Sequence, residues 1–165
     1  MISDEIFEEA RQVVELATKR KVTFGCAESC TGGLVSGAVT AVPGSSVSFR
    51  GAVVSYVTPV KHDVLGVEAW ILDDVELGVV SGECAEQMAQ GTRRVIGCDV
   101  AVSVTGIAGP GGAEPGKPVG TVWFGLSTSS GVSSECHHFS GSREEVRDKA
   151  VVQALRLLRE GILKQ

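Results

Sequence analysis

The 165-residue sequence has no stripe of basic residues, no CxxC pair, no internal repeat and no low-complexity tract. Each absence removes a class of function. Fifteen Lys and Arg against twenty Asp and Glu leave a formal charge of −5, and the basic residues lie mostly near the two ends, among acids. A nucleic-acid partner requires clustered cations to displace counterions from phosphates, so neither DNA nor RNA is an expected partner. The opening Met-Ile-Ser-Asp-Glu-Ile-Phe-Glu-Glu lacks both the basic and the apolar region of a signal peptide. The longest uncharged stretch, Ser29 to Phe49, is broken by Gly, Ser, Thr and Pro43, which fits a membrane-spanning helix poorly. A cytoplasmic protein without membrane partners is expected. The five cysteines (Cys26, Cys30, Cys84, Cys98 and Cys136) are odd in number and unclustered. Reduced thiols suit them better than a disulfide framework, and the scattered His and Cys residues lead us to expect no metal site.

What is present describes one globular domain over residues 1–165, with 43% hydrophobic and 21% charged residues. Residues 4–20 carry a helical apolar face of Ile6, Ala10, Val13, Val14 and Ala17. Val22 to Ala27 reads as a buried strand, followed by a small-residue helix from about Gly32 to Ala41 that Pro43-Gly44-Ser45-Ser46 ends. Gly51 to Val57 reads as a second strand, Pro59 to Leu65 as a short helical piece, and the segment holding Trp70 as a loop. Ser81 caps a helix that runs to about Ile96. Val100 to Thr105 is a third strand leading into Gly106-Ile107-Ala108-Gly109-Pro110-Gly111-Gly112, and residues 113–118 are turn-rich. Val119 to Ser127 and Val132 to Phe139 form a hairpin through Thr128-Ser129-Ser130-Gly131. Ser142-Arg143-Glu144-Glu145 is a capping box for a last helix with inner face Val146, Ala150, Ala154, Leu157 and Leu158. This order predicts a three-layer α/β/α sandwich around a mixed, mostly parallel five-stranded sheet.

In such sheets chemistry gathers where strands end and helices begin. Ser29 stands there, after the first strand. It is either a helix cap or a nucleophile whose oxyanion the amides of Cys30 and Thr31 would receive. Gly32 and Gly33 permit close approach of a ligand. A serine nucleophile needs a base. His137 and His138 alternate across a strand, so one of them could face the site. Lys61 is the other candidate, as the only Lys or Arg between Arg50 and Arg93, in apolar surroundings that would lower its pKa. Tyr56, the single tyrosine, could relay a proton between the two or merely close a core edge. Cys30 is a competing nucleophile, with a buried structural thiol as the plainer reading. The Thr105 to Gly112 loop matches neither dinucleotide nor P-loop spacing, yet it can shape a pocket.

The ordered strings Ala27-Glu28-Ser29-Cys30-Thr31-Gly32-Gly33, Pro43-Gly44-Ser45-Ser46, Gly51-Ala52-Val53-Val54-Ser55-Tyr56 with Lys61, Thr105-Gly106-Ile107-Ala108-Gly109-Pro110 and Lys117-Pro118-Val119-Gly120-Thr121-Val122 resemble the C-terminal domain of the competence-damage-inducible (CinA) family over nearly the whole chain. The resemblance implies a nicotinamide-nucleotide amidohydrolase that converts nicotinamide mononucleotide and water into nicotinate mononucleotide and ammonia. It implies a serine–lysine mechanism with no metal or other cofactor, with nucleophile Ser29, base Lys61 and assisting Tyr56. It also implies a homodimer or larger homo-oligomer. Longer relatives carry an N-terminal nucleotide-pyrophosphatase domain, which this chain, opening on its first helix, is expected to lack. Many relatives read Tyr-Ser-Asn-x-x-Lys where this chain reads Tyr56-Val57-Thr58-Pro59-Val60-Lys61, so Thr58 replaces an amide. A catalytically weak nucleotide-binding or regulatory module is the alternative expectation. For the substrate's 5′-phosphate the candidate donors are Arg143 and the loop of Thr105, Gly106, Ala108 and Gly109.

Overall fold

A computed structural model describes residues 2–165. Five strands form one sheet in the order β2-β1-β3-β4-β5: β1 Phe24–Glu28, β2 Phe49–Val54, β3 Val100–Gly106, β4 Thr121–Thr128 and β5 Gly131–His138. β1 pairs parallel with β2 and β3, whereas β4 runs antiparallel to both β3 and β5. Four strands therefore point one way and β4 alone opposes them. The mixed, mostly parallel sheet expected from the sequence is the one observed.

Helices α1 (Asp4–Arg20), α2 (Leu34–Thr40) and α6 (Arg143–Leu163) cover one face. The other carries α5 (Gly82–Ile96) with the short α3 (Thr58–Asp63) and α4 (Ala69–Leu72). Trp70 thus lies in a helical turn rather than a loop. The first and third strands are buried on both sides, which is why they read as continuous apolar runs. The outer strand β5 alternates polar residues and stays partly exposed. Alternation along β1 sends Phe24, Cys26 and Glu28 towards α1, α2 and α6, and Ala27 towards a smaller cluster with Leu65, Val67, Ile71, Cys84 and Met88. The five inner-face positions expected of α6 are all buried, together with Val151, Leu155 and Ile162, because this helix packs on both the sheet and α1.

Two boundaries shift in a way that matters for the site. β1 extends to Glu28, one residue beyond the expected end. β2 starts earlier and stops at Val54, leaving Ser55 and Tyr56 beyond the sheet, free to lead into α3.

Close packing of α5 gives a test of sign. Helix propensity favours Ala over Gly by about 1 kcal/mol. A Cβ at Gly91, however, would lie 2.0 Å from the Leu65 carbonyl oxygen and 2.7 Å from its carbon. Backbone cannot yield as a side chain does, so Gly91→Ala is expected to destabilise by about 2 kcal/mol. Urea unfolding monitored by circular dichroism reads this directly, and an increase in stability would refute the packing argument.

Candidate active site

Strand β1 does not run straight into a helix. Residues 29–33 form a turn between Glu28 and α2, and the left-handed conformations of Gly32 (φ 60°) and Gly33 (φ 102°) explain the paired glycines. The Ser29 N–H donates to the Val104 carbonyl (2.9 Å), and the Ser29 carbonyl accepts from the Gly32 N–H (3.1 Å). Ser29 is not the helix cap. That work falls to its neighbour, since the buried carboxylate of Glu28 accepts from the backbone N–H groups of Gly33 (3.0 Å), Val35 (3.0 Å) and Ser36 (2.9 Å). An anionic acceptor at a helix start outcompetes a hydroxyl for those donors. The Ser29 side chain is left for another partner.

That partner is Lys61. Tyr56 and Val57 turn the chain out of β2, and Pro59 near the start of α3 sets the helix that carries the lysine inward. Lys61 is 1% exposed. Its Nζ donates to Ser29 Oγ at 3.0 Å and to the Ser55 carbonyl at 2.5 Å. Among the described residues no carboxylate pairs with it. Burial holds the amine below its ordinary value of 10.5, and the sulfur atoms of Cys84 and Cys30 only partly oppose that shift. Ser29 itself is half-buried, so it remains accessible from solvent.

The other candidates are placed differently. Tyr56 is 59% exposed, and its hydroxyl accepts from Arg143 Nη2 at 3.4 Å. It bonds to neither Ser29 nor Lys61, whose direct contact leaves no gap for a relay. Cys30 is buried, and burial pushes its thiol up to about 11, so the thiolate needed for nucleophilic attack is scarce at neutral pH. No histidine reaches the serine. His62 bonds the Val67 carbonyl (2.8 Å), while His137 and His138 lie on β5, three strand spacings (roughly 14 Å) from β1. Thr105 spends its hydroxyl on the Val79 carbonyl at 2.6 Å, Gly106 closes β3, and Ala108 packs in the main core. Gly109 meets Arg143, whose Nη1 donates to its carbonyl at 2.7 Å, so Arg143 bridges the glycine-rich loop to Tyr56. Thr58 is exposed at the start of α3.

Three residues of the site went unnoticed in the sequence. Glu28 is the one acid closing an apolar strand, which marks a buried charge with a dedicated partner. Ser55 acts through its carbonyl and leaves no side-chain signal. Arg147 lies one helical turn after Arg143, a spacing that shares a face, and bonds the carbonyls of Cys30 and Thr31, each at 3.1 Å. A surface cavity of about 520 Å³ beside α6 includes Arg143, Arg147 and Leu34 in its wall.

The family model described as the CinA C-terminal domain matches residues 7–162. A CinA-like protein of Geobacter metallireducens is 45% identical over 92% of this chain, and one of Thermotoga maritima is 41% identical over 96%. The chain spans 36% and 38% of the length of those two relatives. Among solved structures, the competence/damage inducible protein CihA of Agrobacterium tumefaciens superposes with a TM-score of 0.92 at 37% identity, covering 100% of this chain and 99% of that one. A CinA superfamily protein of Klebsiella pneumoniae superposes at 0.91 with 31% identity, covering 97% and 99%.

Replacing Glu28 by Gln puts an amide donor against a backbone donor of α2 at a fully buried position. A loss of about 2 kcal/mol in unfolding free energy is expected. Chemical denaturation is the check, and an unchanged midpoint would mean that the carboxylate does not hold the helix start.

Proposed function

The chain belongs to the CinA C-terminal domain family, and from that premise we propose that it is a serine–lysine amidohydrolase acting on the carboxamide of nicotinamide mononucleotide. The observation that supports this reading best is the 3.0 Å contact between Ser29 Oγ and a buried lysine amine that has no carboxylate partner. A protonated amine would be a poor base. Desolvation favours the neutral form, whose lone pair accepts the Ser29 proton while an N–H stays anchored on the Ser55 carbonyl.

The proposed sequence of steps conserves every atom. Ser29 Oγ attacks the carboxamide carbon as its proton passes to Lys61 Nζ. The developing oxyanion is received by the amides of Cys30 and Thr31, which have no backbone acceptor of their own. The C–N bond breaks, the amine leaves as ammonia carrying the proton from Lys61, and an acyl-enzyme remains. Lys61 then takes a proton from water, the hydroxide attacks the acyl carbon, and the Ser29–acyl bond breaks as Lys61 returns that proton to Ser29 Oγ. The acid product ionises to the carboxylate, and its proton passes to ammonia. A pyridinium ring withdraws electrons from the amide, which assists a modest nucleophile. Arg143, at the junction of the Gly109 loop and Tyr56, is the candidate donor for the 5′-phosphate.

Ammonia release from nicotinamide mononucleotide, its riboside and free nicotinamide tests the substrate. Ser29→Ala and Lys61→Met are each expected to lower kcat by 10³-fold or more, on the order seen when one member of a catalytic unit is removed. Cys30→Ala should retain most of the activity. Calorimetric binding of the nucleotide without turnover would instead favour a binding module.

The pH profile carries its own test. Activity requires neutral Lys61, so it is present above the lysine pKa and lost as pH falls through it. The acid limb of kcat/KM should therefore lie below 10.5, the ordinary lysine value, and Tyr56→Phe should leave its position unchanged. A limb that moved with Tyr56→Phe would return the proton relay to that hydroxyl.

A further inference from the structure

Arg147 donates to two successive backbone carbonyls. Among the described residues it forms no salt bridge. Its guanidinium turns inward from α6, and Nε and Nη2 each donate at 3.1 Å to the carbonyls of Cys30 and Thr31. Both carbonyls belong to the turn that carries Ser29. A guanidinium is a planar fork, so two bonds to successive peptide groups fix their planes as well as their positions.

The direction of those planes is the point. In a trans peptide the carbonyl and the following N–H point opposite ways. Holding the Cys30 carbonyl against α6 therefore turns the Thr31 N–H away from α6. The next peptide behaves in the same manner, with the Thr31 carbonyl on Arg147 and the Gly32 N–H returned to the Ser29 carbonyl at 3.1 Å. A positive charge on the Cys30 carbonyl also polarises that peptide, which strengthens its N–H as a donor.

We propose that Arg147 is a positioning residue that sets the Thr31 amide as an oxyanion donor for Ser29. It touches neither substrate nor the reacting atoms; it acts through the peptide between Cys30 and Thr31. The inference rests on the hydrolase reading of Ser29 and Lys61, so its test needs a readout independent of the natural substrate. A fluorophosphonate probe supplies one, because its phosphoryl oxygen occupies the oxyanion position once a serine has been phosphonylated.

The experiment compares the full chain with Arg147→Met and Arg147→Lys, confirming fold by circular dichroism. Rates of probe labelling at Ser29 are measured together with kcat, KM and the pH profile for nicotinamide mononucleotide. Misplacing an oxyanion donor costs on the order of 10- to 100-fold. Arg147→Met should lose that much in both labelling rate and kcat, while KM stays within about threefold and the acid limb keeps its midpoint. Arg147→Lys, which offers a charge but no fork, should lie between the two and serves alone if the Met variant does not fold. Labelling and kcat within twofold of the parent in the folded variants would overturn the assignment, as would a KM effect alone. Labelling slowed by the variants, in a protein that leaves the nucleotide intact, would uphold Arg147 and refute the substrate. Failure of the unmodified protein to be labelled at Ser29 would refute both.

Discussion

The site depends on keeping one amine away from water without giving it a counter-charge. Lys61 is buried to 1% exposure, and among the described residues its side chain bonds only the Ser29 hydroxyl and the Ser55 carbonyl. A carboxylate at that place would have stabilised the ammonium and raised its pKa, leaving no lone pair to accept a proton. Neutral dipoles do the opposite work. They satisfy the N–H groups while leaving desolvation as the dominant influence on the amine. The three groups come from three segments, the ends of β1 and β2 and the helix α3, so the contact also ties together the chain ends at this edge of the sheet.

Glu28 shows how a buried carboxylate can sit one residue from Ser29 without neutralising that arrangement. Strand alternation sends its side chain to the face of α2, where three backbone N–H groups receive it. Ser29 follows at the strand end and meets Lys61, which approaches from the opposite face. The sheet itself keeps the carboxylate and the amine on different sides. Anion and cation then brace the same turn, with Glu28 gripping amides at its far end and Arg147 gripping carbonyls at its near end. Each charge is matched to the polarity of the backbone it holds, so neither is left buried and unpaired.

The architecture was legible in the sequence because its signals are local. Apolar runs marked β1 and β3, Ser81 and the Ser142 capping box marked helix starts, and Thr128 to Gly131 marked the hairpin. Lys61 could be singled out because it is the only Lys or Arg between Arg50 and Arg93, in an apolar stretch. What could not be read is anything carried by backbone atoms or by orientation. Ser55 contributes a carbonyl, Arg147 reaches across 116 positions to Thr31, and the exit angle of Tyr56 follows from where β2 stops pairing. The cap alternative for Ser29 fails for a related reason. Spacing shows that a helix start is near, but it does not show that a carboxylate one residue earlier already fills the donors.

The location of the site follows from the order in which the strands are laid down. From β1 the chain crosses one face through α2 to reach β2, then crosses the other face through α5 to reach β3 on the far side of β1. Connections that leave over opposite faces part at the carboxyl end of β1. Ser29 occupies that point, flanked by the ends of β2 and β3, and side chains from both helical layers reach the turn that begins with it. Lys61 comes from the α5 side and Arg147 from the α6 side. Histidines on β5 are excluded by the same topology, since β3 and β4 lie between them and β1. That a lysine meets Ser29 is thus partly a matter of strand order: from α3 its side chain reaches the carboxyl end of β1.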